Sequence, residues 1–232
     1  MREIVLDTET TGLDPASGDR IVEIGAIELK NHMPTDRVYH QYINPQRAMP
    51  AGAFAVHGLS DQFLVDKPVF KDIAADFVAF VDGASLIIHN ASFDMKFINA
   101  ELEWAALPKI PYTRAIDTLD MARRKFPGAQ NSLDALCRRF GVDNTARVKH
   151  GALLDSEILA EIYLELIGGR QPDFGLNAPR IAPDYSVPNK VAPTGPLRRP
   201  SPLGPRLTSQ EKSAHAAFVE TLGEDAFWKK FS

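Results

Sequence analysis

Nine prolines fall between residues 172 and 205 of this 232-residue chain, and their density limits what the remainder can become. Proline locks φ and removes a backbone donor, so such a stretch holds neither a helix nor a central strand. The segment 170–206 reads as an extended linker. It confines a sizeable core to residues 1–169 and leaves a short terminal segment, 207–232. A core of that length needs no disulfide, and the single Cys137 permits none within the chain. Cys137 stands in the helical pattern SLDALCRRF and reads as a buried, inert thiol in a reducing compartment. Met1-Arg2-Glu3 leads straight into a strand pattern without the apolar stretch of a secretory signal. No run of about 18 apolar residues is available to span a bilayer. The expectation is a cytoplasmic protein without a membrane partner.

Within 1–169 the apolar spacing predicts an α/β fold. An apolar run at Ile4–Leu6, then strands over 20–29 and 38–43 with short connections, suggests an antiparallel meander, which Asn44-Pro45 ends. A helical region starts at 58–61. Residues 70–81 repeat apolar side chains at Ile73, Phe77, Val78 and Val81, an amphipathic helix. A short strand at 84–89 precedes a helix over 92–102. Pro108 and Pro111 break the chain before 114–126. Residues 132–140 are helical with Gly141 as the C-terminal cap, and 152–166 form the last strong helix. Strands first, then strands and helices mixed, predict a mixed sheet flanked by helices. Beyond the linker, Thr208-Ser209-Gln210-Glu211 has the form of a capping box. It opens a segment whose Phe218, Leu222, Phe227, Trp228 and Phe231 are too many for 25 residues to bury by themselves. Those side chains either fold back on the main domain or bind another protein, and the long linker favours the partner.

Chemistry enters where acids interrupt apolar patterns. Asp7 and Glu9 lie two apart at the end of the first strand, so both project to one face. A lone Asp-x-Glu is ordinarily a solvated strand end; further converging carboxylates change that reading. Asp94 shares a helix face with Phe97, Ile98 and Glu101, and Asp155 shares one with Ile158, Leu159 and Ile162. An aspartate inside such a stripe requires something positive opposite it. Four carboxylates on three elements, with oxygen donors alone, suit hard divalent ions such as Mg²⁺ or Mn²⁺ rather than zinc. Paired ions of this type clamp the attacking and leaving oxygens of phosphoryl transfer. His150 lies five residues before Asp155, off its helix face and on the loop entering that helix, where a neutral imidazole can take a proton from water.

The segments DTETTG (7–12), HNASFD (89–94) and HGALLD (150–155) resemble the three motifs of the DEDDh 3′–5′ exonuclease superfamily. The likeness is nearest its proofreading members in bacterial replicative polymerases, and AVHGLSDQFL (55–64) and NSLDALCRRFGVDN (131–144) extend it. The resemblance covers about 1–168, with a similar layout beyond. It implies a ribonuclease H-like fold and hydrolysis of a terminal phosphodiester with release of a 5′-nucleotide. Asp7, Glu9, Asp94 and Asp155 would be ligands of two divalent ions, with Asp7 shared between them, and His150 the general base. Thr8 and Thr10 would contact the terminal nucleotide by main chain, with Phe93 and His57 as further contacts. Arg147 and Lys149 flank the histidine loop as candidate phosphate contacts.

The implied partners are a frayed or single-stranded DNA 3′ end and a polymerase catalytic subunit bound through 207–232. The peptide Gln171–Leu176 stands where such proteins carry a sliding-clamp motif, though Phe174 replaces the usual aliphatic residue. A further small subunit is left open. The formal net charge of −4 is low for a DNA binder, and metal-binding acids contribute to it. Two alternatives stand beside proofreading: an RNA-trimming exonuclease, and a polymerase-stabilising subunit whose nuclease site is dispensable.

Overall fold

The computed structural model describes residues 1–145, 147, 149–169 and 207–222. The chain divides into two units, Met1–Leu176 and Asn177–Ser232. The first contains five strands: β1 (Arg2–Thr10), β2 (Ile21–Lys30), β3 (Met33–Tyr42), β4 (Ser85–Ile88) and β5 (Ala115–Asp117). Their order in the sheet is β3-β2-β1-β4-β5. The expected meander is present, since β1 pairs with β2 and β2 with β3 in antiparallel fashion. β4 and β5 extend the other edge in parallel, as crossover helices require. The β2–β3 reversal uses Asn31 (φ 52°) and His32 (φ 66°), two left-handed residues such as a type I′ hairpin needs.

β1 is the central strand, and Ile4, Val5 and Leu6 are completely buried. Alternation divides their side chains between two cores. Ile4 and Leu6 pack with Phe70 and Phe77 of α3 (Phe70–Val81) and with Phe97 and Ile98 of α4 (Ala91–Trp104). Val5 packs on the opposite face with Leu159 and Tyr163 of α7 (Ala152–Leu166). Asp7 and Glu9 continue the Val5 face, so the end of β1 presents its acids on the side that α7 covers.

The strong periodic segments match their elements, and the weak ones differ. β3 begins at Met33 rather than at 38, because its outer face is exposed and carries no apolar alternation. A helix that the apolar pattern does not announce, α1 (Ala51–His57), is bounded by Pro50 and by Gly58 at φ 75°. α2 is a single turn (Asp61–Leu64) capped by Ser60. The 114–126 region resolves into three-residue β5 followed by α5 (Thr118–Lys125), and α6 spans Leu133–Phe140 with Gly141 at φ 70° as its cap. Cys137 is buried on α6, and burial raises its thiol pKa, in keeping with an unreactive side chain.

In the second unit α8 (Ser209–Thr221) opens with the expected capping box: Glu211 N donates to Thr208 Oγ1 at 3.2 Å and Thr208 N to Glu211 Oε2 at 2.7 Å. Phe218 and Leu222 are exposed. The linker 170–206, the peptide Gln171–Leu176 and the aromatic residues Phe227, Trp228 and Phe231 lie outside the described residues. No described helix is long and apolar enough to cross a membrane.

Candidate active site

The acids of the first motif and of α7 meet because one strand residue has no side chain. Asp7 pairs across the ladder with Gly25 of β2. A Cβ on Gly25 would stand 2.2 Å from the Ala152 carbonyl carbon and 2.2 Å from the Leu153 nitrogen. The bare α-carbon therefore lets the first turn of α7 rest directly on the sheet. Ser156 Oγ donates to the Gly25 carbonyl at 2.9 Å, which fixes the rotation of the helix. Neither Gly25 nor Ser156 was expected at the site. The available signal was a lone glycine inside the strand pattern IVEIGAIEL.

Asp94 arrives from the other layer, in the first turn of α4. Its Oδ1 accepts from Thr8 N at 3.0 Å and from Thr8 Oγ1 at 2.7 Å, tying α4 to β1 between the two acids of the first motif. The turn into α4 passes through Asn90 at φ 68°. It is secured by Asp117, whose carboxylate accepts from Asn90 N at 3.1 Å, Ala91 N at 3.0 Å and Leu119 N at 2.9 Å. One carboxylate thus caps the starts of both α4 and α5. Its sequence signal was an aspartate directly ahead of a helix.

Asp7, Glu9, Asp94, Asp155 and His150 all line one cleft of about 850 Å³. Burial, reinforced by the negative charges of Asp94, Glu9 and Asp155, holds Asp7 well above the usual carboxylate range. Burial and then the charge of Asp155 push Glu9 to about 8. Burial carries Asp94 to about 7 against the hydrogen bonds from Thr8. Asp155 differs: burial raises it, but His150 and the Arg147 guanidinium beside it hold it below the ordinary value. Arg147 is the positive group opposite the apolar-stripe aspartate. Its Nε and Nη2 engage both Asp155 oxygens, the Nη2 bond at 2.8 Å.

His150 stands on the loop ahead of α7 with its side chain half exposed, as its spacing from Asp155 predicts. His150 N donates to the Val56 carbonyl at 3.3 Å, which anchors the loop to α1. Lys149 Nζ lies 5.0 Å from the centre of the Phe54 ring. Thr8 and Phe93 line the cleft; Thr10 and His57 are not among its lining residues. Thr10 Oγ1 donates to the Gly12 carbonyl at 2.6 Å. His57 is buried, its Nδ1 accepts from Leu59 N at 3.0 Å, and burial lowers its pKa.

The donor set fits divalent ions. Glu9, His150 and Asp155 each offer a ligand atom, and these atoms lie within 4.8 Å of one another. Asp7 and Asp94 add carboxylates that burial holds above the ordinary range, and the negative charge of Asp94 adds repulsion at Asp7. A cation set among them would relieve that repulsion, and oxygen donors favour a hard ion.

The sequence profile described as exonuclease matches residues 4–163. The epsilon subunit of DNA polymerase III from Rickettsia prowazekii (strain Madrid E) is 50% identical over 226 residues, spanning 96% of this chain and 97% of the relative. Among solved structures, exonuclease X in complex with 5′ overhanging duplex DNA aligns with TM-score 0.56 and 27% identity, over 71% of this chain and 90% of that one. The nuclease domain of 3′hExo, a DEDDh family member bound to rAMP, shares the fold at TM-score 0.62 and 20% identity, over 72% and 91%. The chain belongs to the exonuclease family whose profile it matches, as a metal-dependent 3′–5′ nuclease alongside the epsilon subunits of bacterial DNA polymerase III.

Proposed function

We propose that the chain removes mispaired or single-stranded DNA 3′ ends as the proofreading subunit of a bacterial replicative polymerase, in the cytoplasm. The observation that carries this reading is the gathering of four carboxylates and His150 in one cleft, on a chain similar along nearly its whole length to a polymerase III epsilon subunit. Asp7, Glu9, Asp94 and Asp155 would hold two divalent ions, Mg²⁺ with Mn²⁺ able to substitute. Bound ions would supply Lewis-acid charge at the attacking and departing oxygens of the terminal phosphodiester.

The chain's own residues supply the rest. His150, half exposed on its loop, takes the proton of the attacking water at an imidazole nitrogen. Thr8 locks Oδ1 of Asp94 with two hydrogen bonds at the cleft wall. Phe93, whose ring lines the cleft, stacks on the terminal base. Main-chain atoms of Thr8 and Thr10 are the proposed contacts to the same nucleotide, with His57 packed beside Thr10. A mismatched end frays at lower cost than a paired one, so a cleft that accepts only single strands selects errors without reading sequence.

The proposed layout is a nuclease domain at 1–169, a linker at 170–206 and a polymerase-binding segment at 207–232. Exposed Phe218 on α8 and Leu222 just after it support the last assignment. Such a tether raises the local concentration of nuclease at the primer end. Gln171–Leu176 remains a candidate clamp contact.

The test is full-length protein incubated with matched and mispaired primer-templates and with single-stranded RNA, in Mg²⁺ and then in chelator. Expected are release of 5′-deoxynucleotides, faster from mispaired ends, loss of release in chelator, and no release by a folded Asp7→Ala variant. Preferred trimming of RNA would support the RNA-processing alternative. Full activity of Asp7→Ala would end the catalytic assignment.

A further inference from the structure

The surroundings of Arg147 assign it a role beyond phosphate contact. Its side chain is only 8% exposed, yet it engages three groups. Nη1 donates to Asp134 Oδ1 on α6 at 2.8 Å. Nε and Nη2 donate to the two oxygens of Asp155. Nη2 also meets His150 Nδ1 at 2.7 Å. A guanidinium has five donors, no acceptor and a permanent charge. The same His150 Nδ1 atom lies 3.4 Å from Asp155 Oδ2, so the ring sits between the guanidinium and the carboxylate.

Two consequences follow. Both Asp155 oxygens accept from Arg147, and Asp155 is also one of the groups whose ligand atoms cluster with Glu9 and His150. His150 Nδ1 is likewise engaged, by Arg147 at 2.7 Å and by Asp155 at 3.4 Å. A divalent ion and Arg147 compete for the same carboxylate.

We propose that Arg147 is a positioning residue that changes places with a divalent ion. Without the ion it neutralises Asp155 and holds the His150 ring beside that carboxylate. Ion binding draws Asp155 away, and the guanidinium stays tethered by Asp134 at the cleft wall. The exchange keeps a cation against Asp155 at every stage, so the carboxylate is never left buried and unpaired. It also couples release of the His150 ring from Arg147 to the arrival of the ion. This inference rests on the metal-nuclease reading above.

The test uses the full-length chain, with Mg²⁺ and Mn²⁺ binding followed by calorimetry and the arginine Nε–H signals by nitrogen-15 NMR. Arg147→Gln removes the competitor, so the Mn²⁺ dissociation constant should fall roughly tenfold or more, the scale of one charge-assisted pair. Arg147→Lys, which keeps the charge but loses the planar fork, should lie between. A residue that merely braces the loop predicts weaker or unchanged binding in both, and that result would overturn the exchange. In the unsubstituted protein the Arg147 Nε–H signal, assigned by its loss in Arg147→Lys, should move as Mg²⁺ saturates the site. Ion binding with that signal unmoved would refute the exchange while leaving the metal nuclease intact. Absence of ion binding by the unsubstituted chain would overturn both.

Discussion

Gly25→Ala tests how the proposed catalytic acids are brought together, because it adds one methyl group at the point where α7 touches the sheet. The new Cβ would sit 2.2 Å from two backbone atoms of Ala152 and Leu153, whereas carbon atoms in contact prefer about 3.5–4.0 Å. Backbone cannot rotate aside as a side chain does, so the start of α7 must retreat by more than about 1 Å to restore contact distance. The Ser156 Oγ bond to the Gly25 carbonyl, 2.9 Å long, would be stretched with it, and Asp155, one residue earlier, would move away from Asp7. Overpacking of this kind costs about 1–3 kcal/mol, or roughly 2–4 °C in Tm per kcal/mol for a domain of this size. Misplacing a reacting group by 1 Å costs on the order of 10²-fold in rate. The variant should therefore stay folded at 25 °C with nucleotide release from a single-stranded oligonucleotide reduced about a hundredfold. Gly52→Ala is the control, since a Cβ there meets nothing within 4 Å. A Gly25→Ala protein with full turnover would refute the claim that close approach at Gly25 positions Asp155.

Three further outcomes are expected. Glu9 rises from 4.5 to about 8 and Asp94 from 3.8 to about 7, so the folded chain keeps protons that the unfolded chain has lost. Their stabilising contribution is complete below the unfolded values and is lost as pH climbs through about 7–8. Thermal melts in EDTA should accordingly fall between about pH 5 and 8.5, and Mg²⁺ should flatten that decline by replacing the protons; pH-independent melts in EDTA would contradict the electrostatics. Asp117→Ala removes a cap shared by α4 and α5 and should cost about 2 kcal/mol, read as a lower denaturant midpoint at unchanged m-value; an unshifted midpoint would deny Asp117 that role. Deleting 207–232 should abolish copurification with the polymerase catalytic subunit while leaving nuclease turnover on free oligonucleotides, and retained copurification would move the contact elsewhere.

What could be read from the residues, and what could not, divides along a physical line. Asp94 and Asp155 stood out because each breaks a helical apolar stripe, and that stripe is dictated locally by the 3.6-residue period. Asp7 and Glu9 were placed on one face by strand alternation alone, and the described strand carries them there. Elements held by tertiary contact escaped. α1 has no apolar period and is delimited by Pro50 and a left-handed Gly58, and β5 is three residues completed by its neighbour β4. The path of the loop before α7 is set by the Val56 carbonyl and the Phe54 ring, more than 90 residues earlier in the sequence. Arg147 depends on that path, so its grip on Asp155 could not be derived from spacing. An acid on an apolar stripe announces that positive charge must face it, because an unpaired buried carboxylate is too costly to keep. The stripe does not say whose charge. Here the fold supplies an arginine in the position that a hard metal ion would also claim, and the proposed exchange turns on which of the two Asp155 is holding.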